Sequence, residues 1–242
     1  MLGAFREKPA SRVAAELAEV VRVQGRRPTL ELADDNTFAG RRGAGELLGV
    51  LAASGARYFT EVDWRVGERP EVVRDLAASG CVQVLVGFES LVREHTGMGG
   101  KKAGYDRMLD ACLAIQAAGV AVIGCFIVGS DGETAESMAD LGGRLAESPL
   151  ADVQVTMLTA FPGTPLRERL KREGRLIPDR GWSSCTLFDA TFVPDRMTVR
   201  ELERGFRNVV AMAHGQGPAA RRASVRRSVW GARYGEMAGA VG

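Results

Sequence analysis

Apolar strand-like runs alternate with amphipathic helical runs along this chain, one pair for every ~30 residues, the size of a βαβ element. No other feature narrows the fold as far. Regular alternation of this kind builds a sheet or barrel of parallel strands covered by helices. A helical run opens the chain at residues 8–24, where Val13, Leu17, Val20 and Val21 recur at helical spacing. Five strand–helix units follow, with strands reading TLELADDN, ARYFTEVD, CVQVLVGFES, VAVIGCFIVG and ADVQVTMLTAF. Strands two to five look apolar on both faces, as expected where helices cover a parallel sheet. The fifth helix, TPLRERLKREG, has Thr164 to cap it, Pro165 in its first turn and Gly174 to stop it. A last helix opens on the capping box TVRE at residues 198–201 and carries Leu202, Phe206, Val209 and Val210 on one face.

The beginning breaks the pattern. A crossover helix normally follows a strand and returns the chain to a parallel neighbour. The first helix here has no strand before it, so TLELA would form a bare sheet edge.

Composition sets few further limits. With 242 residues, 45% hydrophobic and 26% charged, the chain suits one large α/β domain. Its start, MLGAFREKPA, lacks the apolar stretch of a signal peptide, and the longest apolar run, GVAVIGCFIVG, is too short to span a bilayer. The expectation is a cytoplasmic protein. The net charge of +2 is unevenly placed: five arginines against one acid after Gly215 give +4 there and leave −2 elsewhere. That end reads as a solvated tail, partly disordered or helical, with RNA or lipid headgroups as the less favoured reading. The four cysteines, Cys81, Cys112, Cys125 and Cys185, are too dispersed for a disulfide framework or a local metal cluster. His95 and His214 are equally isolated.

Ligands of parallel α/β folds bind at the carboxyl ends of the strands. In order, those ends carry Asp34, Asp35 and Asn36; Thr60, Glu61 and Asp63; Glu89 and Ser90; the turn GSDGET at residues 129–134; and FPGTP at 161–165. Several carboxylates at neighbouring ends suit an ammonium group and ribose hydroxyls, and Gly129 and Gly132 allow close backbone approach to a flat ligand. A purely structural reading stands beside this one. Glu133 favours a helix N-terminus, PGTP starts the next helix, and Asp35–Asn36 forms a turn.

The succession ADDN, GFES, CFIVGSDGET, TAFPGTPLRERLKREGRL and PDRMTVREL resembles the radical S-adenosylmethionine superfamily, most nearly its cobalamin-associated branch, from about residue 8 to residue 214. The resemblance implies a partial (β/α) barrel of the TIM-like type with S-adenosylmethionine at the strand ends. It also implies a [4Fe-4S] cluster held by a CxxxCxxC loop after the first strand, and cobalamin held by an upstream domain. Reductive cleavage of S-adenosylmethionine would then feed radical or methyl transfer to a substrate. Residue by residue, it sets Asp34, Asp35 and Asn36 near the methionine ammonium, and Glu61 on the neighbouring strand end. Glu89 and Ser90 face the ribose or methionyl part, Gly129 lies beside the adenosyl group, and Thr159 and Phe161 belong to the segment flanking adenine.

Two departures stand out. No CxxxCxxC occurs anywhere, and the first strand is missing, so the expected organisation is a truncated core over residues 1–195, a C-terminal helix at 196–214 and a basic, flexible tail at 215–242. Glu31 occupies a strand position where an apolar residue is usual. The expected function is that of a radical enzyme whose cluster ligands lie outside this chain, a missing segment or partner covering the open edge. The alternative is a non-catalytic S-adenosylmethionine-binding or docking module. An unrelated (β/α)8 barrel is the weaker third reading. Neither nucleic acid nor a membrane span is expected.

Overall fold

The computed structural model describes residues 7–27, 29–38, 44–92 and 104–234. Its elements follow the predicted order. They are α1 (Ala10–Gln24), β1 (Thr29–Leu32), α2 (Ala44–Ser54), β2 (Arg57–Val62), α3 (Pro70–Ala78), β3 (Cys81–Glu89) and α4 (Tyr105–Ala117). Then come β4 (Ala121–Val128), α5 (Ala135–Glu147), β5 (Asp152–Met157), α6 (Pro165–Arg172), α7 (Val199–His214) and α8 (Gln216–Tyr234). The five strands form one sheet in the order β1-β2-β3-β4-β5. A helix separates each strand from the next, and such a crossover returns the chain parallel to its neighbour. In the pairs β1–β2 and β2–β3, Thr29 stands opposite Arg57 and Val62 opposite Val86, both pairings parallel. The expected partial barrel is therefore the observed fold, with β1 at an edge.

The described residues fall into two compact units. One lies within Met1–Gly87, Asp106–Ile123 and Val225–Gly242, the other within Phe88–Tyr105 and Gly124–Ser224. The first has a core of Leu51, Tyr58, Trp64, Leu76, Val84 and Ile115, all at or near full burial. The Tyr58 hydroxyl is not left unsatisfied there: it pairs with Ser79 Oγ at 2.7 Å, and Ser79 Oγ donates to the Leu76 carbonyl. A single 3-10 turn, Trp64–Glu68, leads into α3 and was not anticipated. Asp63 caps it by accepting from the Arg65 N–H at 2.9 Å.

The core of the second unit joins Phe126, Met138, Leu145 and Leu150 to Leu202, Phe206 and Val209 of α7. The predicted capping box of α7 is present: the Glu201 carboxylate accepts from the Thr198 N–H at 2.8 Å, and Thr198 Oγ1 accepts from the Glu201 N–H at 3.2 Å.

One expectation changes, and two points left open are filled in. The faces of strands two to five are not uniformly apolar: β2 and β5 alternate, with Arg57, Glu61 and Gln154 exposed. Glu31 is exposed too, so no carboxylate is buried in β1. The end after Gly215, read from the sequence as partly disordered or helical, is helical from Gln216 to Tyr234. Its buried Arg222 explains why. The guanidinium donates to the Leu145 carbonyl at 2.7 Å and to the Ala213 carbonyl, while Arg221 donates to Ala146. Those carbonyls end α5 and α7, where no intrahelical donor remains. Two of the five arginines are thus spent on helix ends, which charge counting does not reveal. Among the described residues no helix is long and apolar enough to cross a membrane.

Gly67 shows how tightly the 3-10 turn packs. A Cβ there would lie 2.0 Å from the Ala111 carbonyl oxygen, a backbone atom that cannot swing away. Gly67→Ala is expected to lower stability by about 1–3 kcal/mol. Gly143→Ala on α5, where nothing lies within 4 Å, should instead gain up to about 1 kcal/mol. Chemical denaturation of both variants checks the contrast, and equal midpoints would remove the packing argument.

Candidate functional site

The most organised strand end is that of β4. The chain leaves Val128 through Gly129 and Gly132, both at positive φ (92° and 85°). Side chains rarely adopt that backbone. A Cβ on Gly129 would in addition lie 3.2 Å from Leu202 Cδ1. The turn closes on Glu133, which stands just before Thr134, the N-cap of α5. Glu133 is 3% exposed. Its Oε2 accepts from the Gly129 N–H at 2.6 Å and the Ser130 N–H at 3.3 Å, and its Oε1 accepts from Ser90 Oγ. One carboxylate therefore ties the end of β3 to the exit of β4.

Burial pushes the Glu133 pKa up. The Ser90 hydroxyl and the two backbone N–H groups act in the opposite sense, and the nearby Asp195 adds to the rise. Asp195 is itself held by the Gly132 N–H at 3.0 Å. Asp131 points away into an ion-pair cluster with Arg169 and Arg175, each at 2.7 Å. Burial raises its pKa, but the two guanidinium groups outweigh that and hold it below the usual carboxylate range.

Glu89, at the end of β3, is half-buried and adopts φ +62°. A left-handed backbone at a non-glycine residue costs roughly 1 kcal/mol, and such outliers collect at functional sites. The segment after β5 is fixed throughout. Thr159 is buried and donates to the Met157 carbonyl, the Ala160 N–H donates to Thr191 Oγ1 at 2.9 Å, and the half-buried Phe161 ring meets Trp182 at 6.4 Å. Glu89, Ser90, Gly129, Thr159 and Phe161 all fall within the second compact unit, and Glu133 bonds directly to Gly129 and Ser90.

The remaining predicted residues belong to the first unit. Asp34 and Asp35 are exposed and Asn36 half-buried. Thr37, just beyond, fixes their turn: its N–H donates to the Glu61 carbonyl at 3.2 Å, and its hydroxyl pairs with that of Thr60. Thr60 Oγ1 in turn donates to the Leu32 carbonyl at 3.2 Å. Asp34, Asn36 and Thr37 line a cavity of about 850 Å³ together with Leu17 of α1 and Glu31. That volume lies within the range of small-molecule sites. Asp35 and Glu61 are not part of its lining.

The residues present do not fit an iron–sulfur cluster. Cys81 and Cys112 are buried, Cys125 and Cys185 half-buried, and among the described residues no three His, Cys, Asp or Glu groups could share a metal ion. Burial pushes the Cys112 thiol up to about 12, away from the thiolate that ligation needs.

Sequence reasoning gave Glu133 to the helix dipole and did not count it among the site residues. A signal was present: it precedes the N-cap and follows two glycines, which suits a carboxylate folding back onto freed N–H groups.

No family model matches the chain. Two curated relatives do. Hopanoid C-2 methylase of Rhodopseudomonas palustris is 27% identical over 72% of this chain, and bacteriochlorophyllide d C-12(1)-methyltransferase of Chlorobaculum tepidum is 25% identical over 72%. The matches span 34% and 38% of those proteins, so the chain spans little more than a third of the length of the relatives it matches. Among solved structures, the radical S-adenosylmethionine methyltransferase TsrM from Kitasatospora setae, with cobalamin and a [4Fe-4S] cluster bound, superposes with a TM-score of 0.64 at 17% identity. That superposition covers 85% of this chain and 46% of TsrM. The fold is thus that of the radical S-adenosylmethionine partial barrel. The relatives named are a methylase and two methyltransferases, in line with the resemblance read from the sequence.

The Glu133 arrangement carries a pH dependence. Its folded pKa lies above the ordinary 4.5. From about pH 4.5 upward the unfolded chain has released this proton while the folded protein still holds it, so stability falls as pH rises through the folded pKa. Glu133→Gln keeps the shape and should lack this component in a series of denaturation curves across pH. Glu133→Ala strands the Gly129 and Ser130 N–H groups and should lose on the order of 3 kcal/mol. Parallel pH profiles for wild type and Glu133→Gln would refute the assignment.

Proposed function

We propose that this chain is the S-adenosylmethionine-holding part of a methyltransferase of the radical type, and that its cluster ligands come from polypeptide outside these 242 residues. The observation that carries the reading is the β4 exit, where Glu133 folds back on Gly129 and Ser130 and captures Ser90. A turn anchored from behind in this way presents a glycine backbone to a flat ligand without a side chain between them. Two relatives are methylases, and the TsrM fold carries S-adenosylmethionine chemistry. Bound S-adenosylmethionine would supply the methyl group. Within the second unit, Glu89 and Ser90 would hold its ribose or methionyl part and the Gly129 turn its adenosyl part, while Asp34 and Asn36 of the first unit are kept as separate candidates for an ammonium group. Cobalamin would be held elsewhere, since no residue here is assigned to it. A missing strand or a partner would cover the edge of β1, and a cytoplasmic location goes with this reading.

The lack of any cysteine triplet favours a second reading, a binding module that never reduces S-adenosylmethionine.

Calorimetry on the full chain without iron tests the first proposal. S-adenosylmethionine should bind, and Glu89→Gln should weaken binding about 10-fold or more, the loss of one charge-assisted hydrogen bond. No binding by wild type would overturn it. Under chemical reduction the chain alone should leave S-adenosylmethionine intact. Cleavage by the unaided chain would sink the view that its cluster ligands lie elsewhere. Cleavage only after addition of a segment bearing three cysteines would decide against the binding-module reading.

A further inference from the structure

Trp182 is the most exposed large apolar side chain among the described residues, at 69%. It is not on a loose loop. It begins a 3-10 turn in which the Ser184 N–H donates to the Gly181 carbonyl at 3.1 Å and the Cys185 N–H to the Trp182 carbonyl at 3.0 Å. Its ring meets Phe161 at a centroid distance of 6.4 Å and a tilt of 50°. Phe161 sits just beyond the carboxyl end of β5, and behind it Ala160, Leu170 and Phe192 form a closed apolar cluster. A rigid pair of rings thus stands at a strand end, one of them held out into solvent. The same segment exposes a further ring, Phe188, at 57%.

The polar groups around this pair say what it can hold. The Ala160 N–H is engaged by Thr191 Oγ1 at 2.9 Å, the Phe161 N–H by the Thr159 carbonyl at 3.0 Å and the Thr164 N–H by the Phe161 carbonyl at 3.2 Å. Pro162 has no N–H, and the Arg167 guanidinium donates to the Ala160 carbonyl at 3.0 Å. A ring system seeking the backbone N–H groups of Ala160, Phe161 and Thr164 would find them spent. One recognised by its faces alone loses nothing there.

We propose that Trp182 and Phe161 form a stacking ledge for the methyl acceptor, and that this acceptor is a flat, apolar, fused-ring molecule. The inference rests on the methyltransferase reading above. It assigns Trp182 a binding role by contact with the acceptor, not with S-adenosylmethionine.

The test uses the full chain and 1-pyrenemethanol, a flat fused-ring probe, followed by pyrene anisotropy. S-adenosylhomocysteine binding is measured by calorimetry on the same proteins. Trp182→Ala should weaken the pyrene probe about tenfold, as loss of one aromatic stacking partner does. Trp182→Phe should keep most of the affinity. Val23→Ala, at an exposed apolar residue on α1, should change nothing. The proposal is overturned if wild type does not bind the probe, or if Val23→Ala weakens it as much as Trp182→Ala, which would mean unspecific adsorption. It is equally overturned if Trp182→Ala weakens S-adenosylhomocysteine and spares the probe, since the ledge would then serve the purine. Should wild type bind the probe at Trp182 but not S-adenosylhomocysteine, the cofactor reading fails and the ledge stands.

Discussion

A single buried carboxylate sets the geometry of the β4 exit. Glu133 is almost wholly withdrawn from water, yet it accepts from the Gly129 N–H, the Ser130 N–H and Ser90 Oγ. Withdrawal from water opposes the charge, and the three donors favour it. Neither is decoration. Without the donors the carboxyl would be an uncompensated polar group in a packed interior. Without the carboxyl, Gly129 and Ser130 would leave two N–H groups unpaired at the very place where the backbone must turn sharply. Because Ser90 follows β3 and Gly129 follows β4, the same interaction ties two strand ends together. The ends of α5 are settled by related means, a Thr134–Ser137 capping box at one and arginine donors at the other.

The strand ends use carboxylates in two opposite ways. Glu133 faces inward and is consumed by the fold. Asp34 and Asp35 face water after β1, where a solvated charge costs the fold little and stays open to an external cation. Type and position in the sequence do not separate these roles, since each residue follows a strand and precedes a helix. What separates them is the backbone beside them. Glu133 follows two positive-φ glycines whose turn aims N–H groups at it, whereas the turn after Leu32 is already satisfied by Thr37 and Thr60.

How far the sequence could be read follows from the range of each interaction. The five strands and α1 to α7 were legible, because period-2 and period-3.6 patterns and caps such as Thr164 and Thr198 are local. The role of Glu133 was not, since its Ser90 partner lies 43 residues away. Nor was the order of α8: Arg222 reaches a carbonyl 77 residues earlier, and a run of arginines without acids reads as solvated until such a partner is known. The alternation in β2 and β5 was missed because a short apolar run does not declare how many of its faces are covered. Asp34 and Asn36 were legible as strand-end residues, but only the cavity beside them distinguishes them from Asp35 and Glu61.

The cysteines of this chain are placed by packing. Cys81 lies in β3, Cys112 in α4 and Cys125 in β4, and the first two are fully enclosed. They behave as small apolar residues, and the thiol of Cys112 is driven far from ionisation. The sulfur atoms of Cys81 and Cys112 are therefore part of the packing. To recruit them as ligands would require opening the strands and helices that define the sheet. The sheet and its helices are held by layers of apolar contacts and by interactions such as those of Glu133, and they ask nothing of these two thiols beyond their volume.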